Sequence, residues 1–212
     1  MDVKLISITP DFLKKIWVAA RTCYSSLSPI ELMEMEPDED EMLRIANKII
    51  KSRHLSVLEH CSMTFAVKNV SRTLLAQYSR HRIGISLSVQ SQRYVSEESA
   101  KREDGVFDFV MPDDIEKNEE ARKIFLEAMK KCQHYYDKFK ELGIKNEDAR
   151  FVLPGGAATN FVTTLNLRSF FDIYEKRVLT RGAQWEIRQL LLKMRELLLE
   201  KEPWLNEYLV EG

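Results

Sequence analysis

One stretch limits what this chain can fold into more than any other. Ser79 to Val95, S-R-H-R-I-G-I-S-L-S-V-Q-S-Q-R-Y-V, gathers three arginines (Arg80, Arg82, Arg93), one of the four histidines (His81) and four serines (Ser79, Ser86, Ser88, Ser91) into seventeen residues without an acid. Over all 212 residues, lysine plus arginine (32) all but cancels aspartate plus glutamate (33), so the overall charge does not call for such a cluster. A guanidinium is a rigid fork of donors matched to phosphate or carboxylate, and serine hydroxyls with backbone N–H groups can complete an anion cradle. Arginine and histidine at a helix end can also simply cap carbonyls and complement the dipole. The continuation favours the first reading, because two arginine groups, Arg80-His81-Arg82 and Arg93, bracket a hydroxyl-rich loop. The segment reads as an anion site, with phosphate the expected ligand.

The near-neutral total charge argues against the broad positive field of a duplex-binding protein, so any anion binding is local. With 44% hydrophobic and 31% charged residues the composition is that of an ordinary globular chain. Cys23, Cys61 and Cys132 are widely spaced and form no C-x-x-C, so neither a disulfide framework nor a zinc ribbon is expected and the thiols read as reduced. The N-terminal segment lacks a long apolar run and no stretch approaches a membrane span, which points to a cytoplasmic protein. His54-Leu55-Ser56-Val57-Leu58-Glu59-His60 holds two histidines and a glutamate but neither H-E-x-x-H nor H-x-x-E-H. No metal is expected there; Ser56 with Glu59 three residues on reads as a capping box.

Taken in order, Val3–Thr9 alternates as a strand, and Thr9-Pro10-Asp11 opens a helix with Thr9 as cap. Met42, Ile45, Ile49 and Ile50 mark an amphipathic helix ending near His54. Ser62–Lys68 is a strand, Asn69-Val70-Ser71 a helix entry, and Val70–Ser79 a helix delivering Arg80 with Gln77 one turn before it. Val106–Val110 reads as a strand, and Asp114–Leu142 as one long helix with a stripe of Ala121, Phe125, Ala128, Cys132, Tyr135 and Phe139. Asn146–Pro154 is a short helix stopped by proline, in which Glu147 and Arg150 can pair at about 0.2–0.5 kcal/mol. Thr159–Leu165 is β-rich, Asn166 begins a helix with Phe170, Ile173 and Tyr174 turned inward, and Ile187 to Leu198 form the packed face of a closing helix. No repeat or composition break divides the chain. The expectation is one α+β domain over residues 1–212, with a mixed sheet packed against several long helices.

Arg80-His81-Arg82, eight residues, then Ser91-Gln92-Arg93-Tyr94 resembles the signature of the flavin-dependent thymidylate synthases, in which seven residues separate Arg-His-Arg from Ser. Three further runs resemble that family in the same order: His54-x-Ser56-x-x-Glu59-His60, Glu147-x-x-Arg150-x-x-Leu153-Pro154, and Asn166-x-Arg168-Ser169 with Arg177 following. Asp172 stands where the family commonly has a second asparagine, and one extra residue precedes the shared run Ala183-Gln184-Trp185-Glu186-Ile187-Arg188.

The resemblance implies reductive methylation of dUMP to dTMP, with methylenetetrahydrofolate as carbon donor, FAD as redox cofactor and NADPH as reductant. It implies that Gln77, Arg80, Ser91, Gln92, Arg93 and Arg150 hold the nucleotide, with the phosphate on Arg93 and Arg150, and that Arg177 faces the pyrimidine as the catalytic charge. His54, Ser56, Arg80, His81, Arg82, Asn166, Arg168 and Asp172 would face the flavin, His54 and Ser56 in a neighbouring subunit's site, which implies a homotetramer. The other class of thymidylate synthase uses a cysteine nucleophile, and none of the three cysteines sits in a run that suggests one. A single-stranded RNA or nucleotide-binding module is the rival reading, with Tyr78 and Tyr94 as stacking platforms. It leaves Asn166, Arg168 and Arg177 without a role. A flavin reductase without methyl transfer leaves the nucleotide arginines idle.

Overall fold

The structure is a computed structural model and describes residues 1–211. The elements run β1 (Asp2–Ile8), α1 (Phe12–Thr22), α2 (Pro29–Glu34), α3 (Glu39–Lys51), β2 (Ser62–Ser71), α4 (Arg72–Tyr78) and β3 (Ile85–Val89). They continue with α5 (Asp113–Glu116), α6 (Glu119–Glu141), α7 (Asn146–Ala149), β4 (Ala158–Asn166), α8 (Leu167–Tyr174) and α9 (Trp185–Leu199). The strands form one sheet in the order β1-β2-β4-β3.

The sheet is antiparallel where a mixed one was expected. Thr64 meets Thr164 while Asn69 N–H donates to the Asn160 side chain, and Gln90 N–H donates to the Asn160 carbonyl while Thr163 Oγ1 donates to the Ser86 carbonyl, so β2 and β3 each count against β4. Alternation along β2 buries Met63, Phe65 and Val67, and along β4 it buries Thr159, Phe161, Thr163 and Leu165.

Contacts sort the chain into two compact units. One comprises Met1–Asp2, Val67–Arg80 and Ser88–Phe161; the other comprises Val3–Ala66, His81–Leu87 and the chain from Val162 on. In the first, Phe107, Met129 and Ala157 are buried with Phe109, Phe125, Ala128, Cys132 and Leu153 packed around them. In the second, α1 buries Phe12, Ile16, Trp17 and Ala20, α8 buries Phe170, Ile173 and Tyr174, and α9 buries Ile187, Leu190, Leu191, Met194 and Leu198. The helical period seen in the sequence thus faces inward in α8 and α9, each large apolar side chain being worth about 1.5–3 kcal/mol.

Four local expectations are corrected. Thr9 does not cap α1: its hydroxyl accepts from Ser62 N–H at 3.0 Å, which commits it to the sheet. The N-terminus of α1 is served instead by Glu202, whose carboxylate accepts from Phe12 N–H at 3.3 Å across 190 residues of sequence. Ser56 and Glu59 form no capping box, because they lie inside a 3-10 turn, Leu55–His60, with no side-chain cap. The long helix from Asp114 is split into α5 and α6, where Asn118 turns the chain and caps α6 by accepting from Ala121 N–H at 3.0 Å. Val106–Val110 contributes a single antiparallel bridge, Phe109 to Ala157, rather than a strand.

Candidate active site

In the first unit, α4 positions Gln77 and Arg80, two of the residues expected on the nucleotide side. Ser71 caps it by accepting from Leu74 N–H at 2.9 Å, and Tyr78 is buried and stacked on Phe161 with ring centres 5.3 Å apart. That anchoring brings Gln77 to the last turn and Arg80 to an exposed position just past the end. Ser91 opens a tight turn: its hydroxyl accepts from Arg93 N–H at 3.2 Å and its carbonyl from Tyr94 and Val95 N–H. Gln92 points inward, and its buried Nε2 has no hydrogen-bond partner.

Arg93 pairs with Glu147, Nε to Oε2, at 2.8 Å. The expected Glu147–Arg150 ion pair is therefore not formed. Arg150 instead donates from Nε to the Glu147 carbonyl at 3.1 Å, as a cation closing a short helix can. Asn146 Nδ2 donates to the Arg93 carbonyl at 3.3 Å, so the α7 segment holds the Ser91 turn through both side chain and backbone.

Arg72 joins this cluster, and the sequence reading missed it. Its Nη2 donates to the Gln90 carbonyl at 3.0 Å, while its Nε is buried without an acceptor. Burial pulls its pKa down, Glu97 opposes the shift and nearby Arg150 adds to it. A signal was present: a cation in the first turn of a helix opposes the macrodipole and needs another reason to be there. Two buried donors without acceptors, one of them on a guanidinium that Arg150 repels, make a donor set suited to an anion.

In the second unit, β4 ends at Asn166, whose side chain caps α8 by accepting from Ser169 N–H at 2.9 Å. The loop after Arg82 is seated on this cap. Asn166 N–H donates to the Gly84 carbonyl at 3.2 Å and Ser169 Oγ to the Ile83 carbonyl at 2.8 Å. Gly84 has φ +65°, and a Cβ there would lie 2.3 Å from Ser169 Oγ and 2.5 Å from Asn166 Nδ2. Only glycine satisfies both the backbone and the space.

A π-turn, Glu175–Leu179, follows α8 and carries Arg177. Arg177 Nε donates to His81 Nε2 at 3.0 Å. The contact lets the His81 ring orient the Arg177 guanidinium. Arg168 is paired with Glu59, and Asp172 with Lys176 at 2.7 Å. Arg168 and Asp172 line one cavity of about 410 Å³. His54 lines a different one, Ser56 is exposed on its 3-10 turn, and Arg82 is exposed ahead of Gly84. The structure thus joins His81 to Arg177 and Arg168 to Asp172; the 3-10 turn that carries Ser56 meets the second pair through Glu59 and Arg168, and His54 lines a cavity of its own. Among the described residues no group of three or more His, Cys, Asp or Glu side chains is arranged to hold a metal ion.

Two arginine-rich clusters, each braced by loop backbone and a capped helix, are set in a chain of mixed α and β structure. The sequence matches the family described as thymidylate synthase complementing protein over residues 4–204. A flavin-dependent thymidylate synthase of Geobacter sulfurreducens is 40% identical over 197 residues, covering 93% of this chain and 82% of that protein. One of Clostridium tetani is 36% identical, covering 98% and 86%. The crystal structure of thymidylate synthase X from Helicobacter pylori with FAD and dUMP matches with a TM-score of 0.73 at 27% identity, over 99% of this chain and 96% of that one. The chain belongs to the flavin-dependent thymidylate synthase family.

Proposed function

We infer that the chain catalyses the reductive methylation of dUMP to dTMP with FAD as redox cofactor, methylenetetrahydrofolate as carbon donor and NADPH as reductant. Family membership supports the reaction and the flavin. The observation on this chain that carries the reading is the pair of buried donors, Arg72 Nε and Gln92 Nε2, left without acceptors beside the Ser91 turn. A nucleotide phosphate supplies the missing acceptors. In this reading Arg93, Arg150 and Arg72 hold the phosphate, Ser91 and Gln92 add loop contacts, and Gln77 and Arg80 seat the nucleoside.

His81, Arg82, Asn166 and Arg168 form the flavin side with Asp172, and their donors suit the carbonyls and diphosphate of that cofactor. When bound, FAD supplies reducing equivalents. The protein's own part is to fix Arg177, through His81, as a charge that stabilises the negative charge developing on the pyrimidine. His54 and Ser56 are assigned to the flavin site of a neighbouring copy, which makes the working form a homotetramer, and the reaction is placed in the cytoplasm.

The nucleic-acid reading loses support from one side chain. Tyr78, one of its two stacking platforms, is 0% exposed and already stacked on Phe161. Binding of dUMP tests the assignment: Arg93→Ala and Arg72→Ala are each expected to weaken it by about 1.5–3 kcal/mol, the worth of a charge-assisted hydrogen bond. Wild-type affinity in both variants, measured by isothermal titration, contradicts the phosphate assignment.

A further inference from the structure

A cavity of about 610 Å³ lies wholly within the unit that carries Arg177, between α1 and α3. Its floor is apolar, from Ala20 and Ile49, and Tyr24, 82% exposed, stands at its wall. Its rim carries Arg21, Arg44 and Lys48, and no acid lines it. The size is that of a small-molecule site.

The three cations have no carboxylate partner. Among the described residues none of them forms an ion pair, although Arg93, Arg102, Arg168 and Arg195 all do. Arg21 and Lys48 fall in the last turns of their helices, where a cation complements the dipole. That explanation does not extend to Arg44, which lies in the middle of α3. Arg21 is further fixed over the Trp17 ring, 5.7 Å from its centre. Uncompensated charge around a concave, partly apolar surface focuses positive potential there. The ligand that fits is an aromatic ring on the floor with two or more negative groups at the rim.

His54, which lines the same cavity, is a residue assigned above to the flavin side. We propose that this cavity binds the ring-bearing, anionic end of a co-substrate, with Arg44 and Lys48 recognising its carboxylates or phosphate. The proposal rests on the methylation reading, whose reactants include two such groups: the p-aminobenzoyl-glutamate end of the folate and the 2′-phosphoadenosine end of NADPH.

The test compares wild type with Arg44→Gln/Lys48→Gln, and with Lys51→Gln as a control on the same helix outside the cavity. Isothermal titration with p-aminobenzoyl-polyglutamate and with adenosine 2′,5′-bisphosphate reads the cavity without turnover. One of the two probes is expected to bind wild type and the control, and to lose roughly tenfold or more in affinity to the double variant. Which probe responds identifies the source. In turnover the same variant should raise KM for polyglutamylated folate, or for NADPH but not NADH, with kcat and FAD content unchanged. Binding of neither probe, or equal binding by wild type and the double variant, overturns the proposal. A wild type that binds a probe but forms no dTMP defeats the methylation reading instead.

Discussion

At the scale of single residues, the account turns on Arg177 and His81. The 3.0 Å contact from Arg177 Nε to His81 Nε2 orients the guanidinium from a turn that has one residue more than an α-helical turn. Arg177→Ala is expected to abolish dTMP formation while FAD remains bound; single-turnover assays with the flavin spectrum recorded in parallel check this, and unchanged turnover contradicts it. Ser91, Gln92 and Arg93 stand out in the sequence because their chemistry is concentrated in one short run, and Arg150 stands out through the run it shares with Glu147. Arg72 and Glu59 were not. Their meaning depends on what the fold brings near them: Gln90 for Arg72, and Arg168, 109 residues away, for Glu59. Glu147 was legible as an anion but assigned the wrong cation, since helical spacing favours Arg150 whereas the fold supplies Arg93.

At the scale of elements, the cap of α8 and the loop seated on it form one unit. Gly84 is the tightest point. Gly84→Ala adds a Cβ at φ +65° where Ser169 Oγ and Asn166 Nδ2 lie 2.3 and 2.5 Å away. The cost is expected to exceed the ~1 kcal/mol of the backbone conformation alone, and FAD affinity should fall with it on the proposal that Asn166, which forms the cap, faces the flavin. Denaturant unfolding and flavin titration check both; a variant of wild-type stability contradicts the packing. Helix existence was legible from apolar period, and the inward faces of α8 and α9 came out as read. The stripe on α6 was read only in part. Phe125, Ala128 and Cys132 do pack inward, but Tyr135 and Phe139 are exposed, and the fully buried positions are Met129, Gln133 and Tyr136. Counting apolar residues cannot find Gln133, which is buried because it accepts from Phe107 N–H at 2.7 Å and donates to the Glu97 carbonyl at 2.9 Å.

At the scale of the whole molecule, the division into two units was invisible in the sequence because β2, β3 and β4 each run from one unit into the other. Composition does not change at those points. Contacts that close the second unit are similarly remote in sequence, Glu202 on the start of α1 being the clearest. Burial raises the Glu202 carboxyl above its ordinary value, against hydrogen bonds from Trp204 and Phe12 that lower it. A native pKa above the unfolded one means the native state binds more protons between the two values. The stability this gives is complete below the unfolded pKa and is lost as pH rises through the native one. Unfolding free energies followed from about pH 4.5 to neutrality should therefore fall more steeply in wild type than in Glu202→Gln; parallel profiles contradict the assignment. Among the described residues no helix is long and apolar enough to cross a membrane.

The central claim is that these two arginine clusters serve one flavin-dependent methylation. It is tested most directly by the visible spectrum of the FAD-loaded protein under anaerobic NADPH, followed by dUMP and methylenetetrahydrofolate, with dTMP quantified in the same sample. The account predicts that the flavin band bleaches with NADPH and returns as dTMP accumulates. A protein that stays colourless after FAD is supplied, or a flavin that cycles without dTMP, contradicts it.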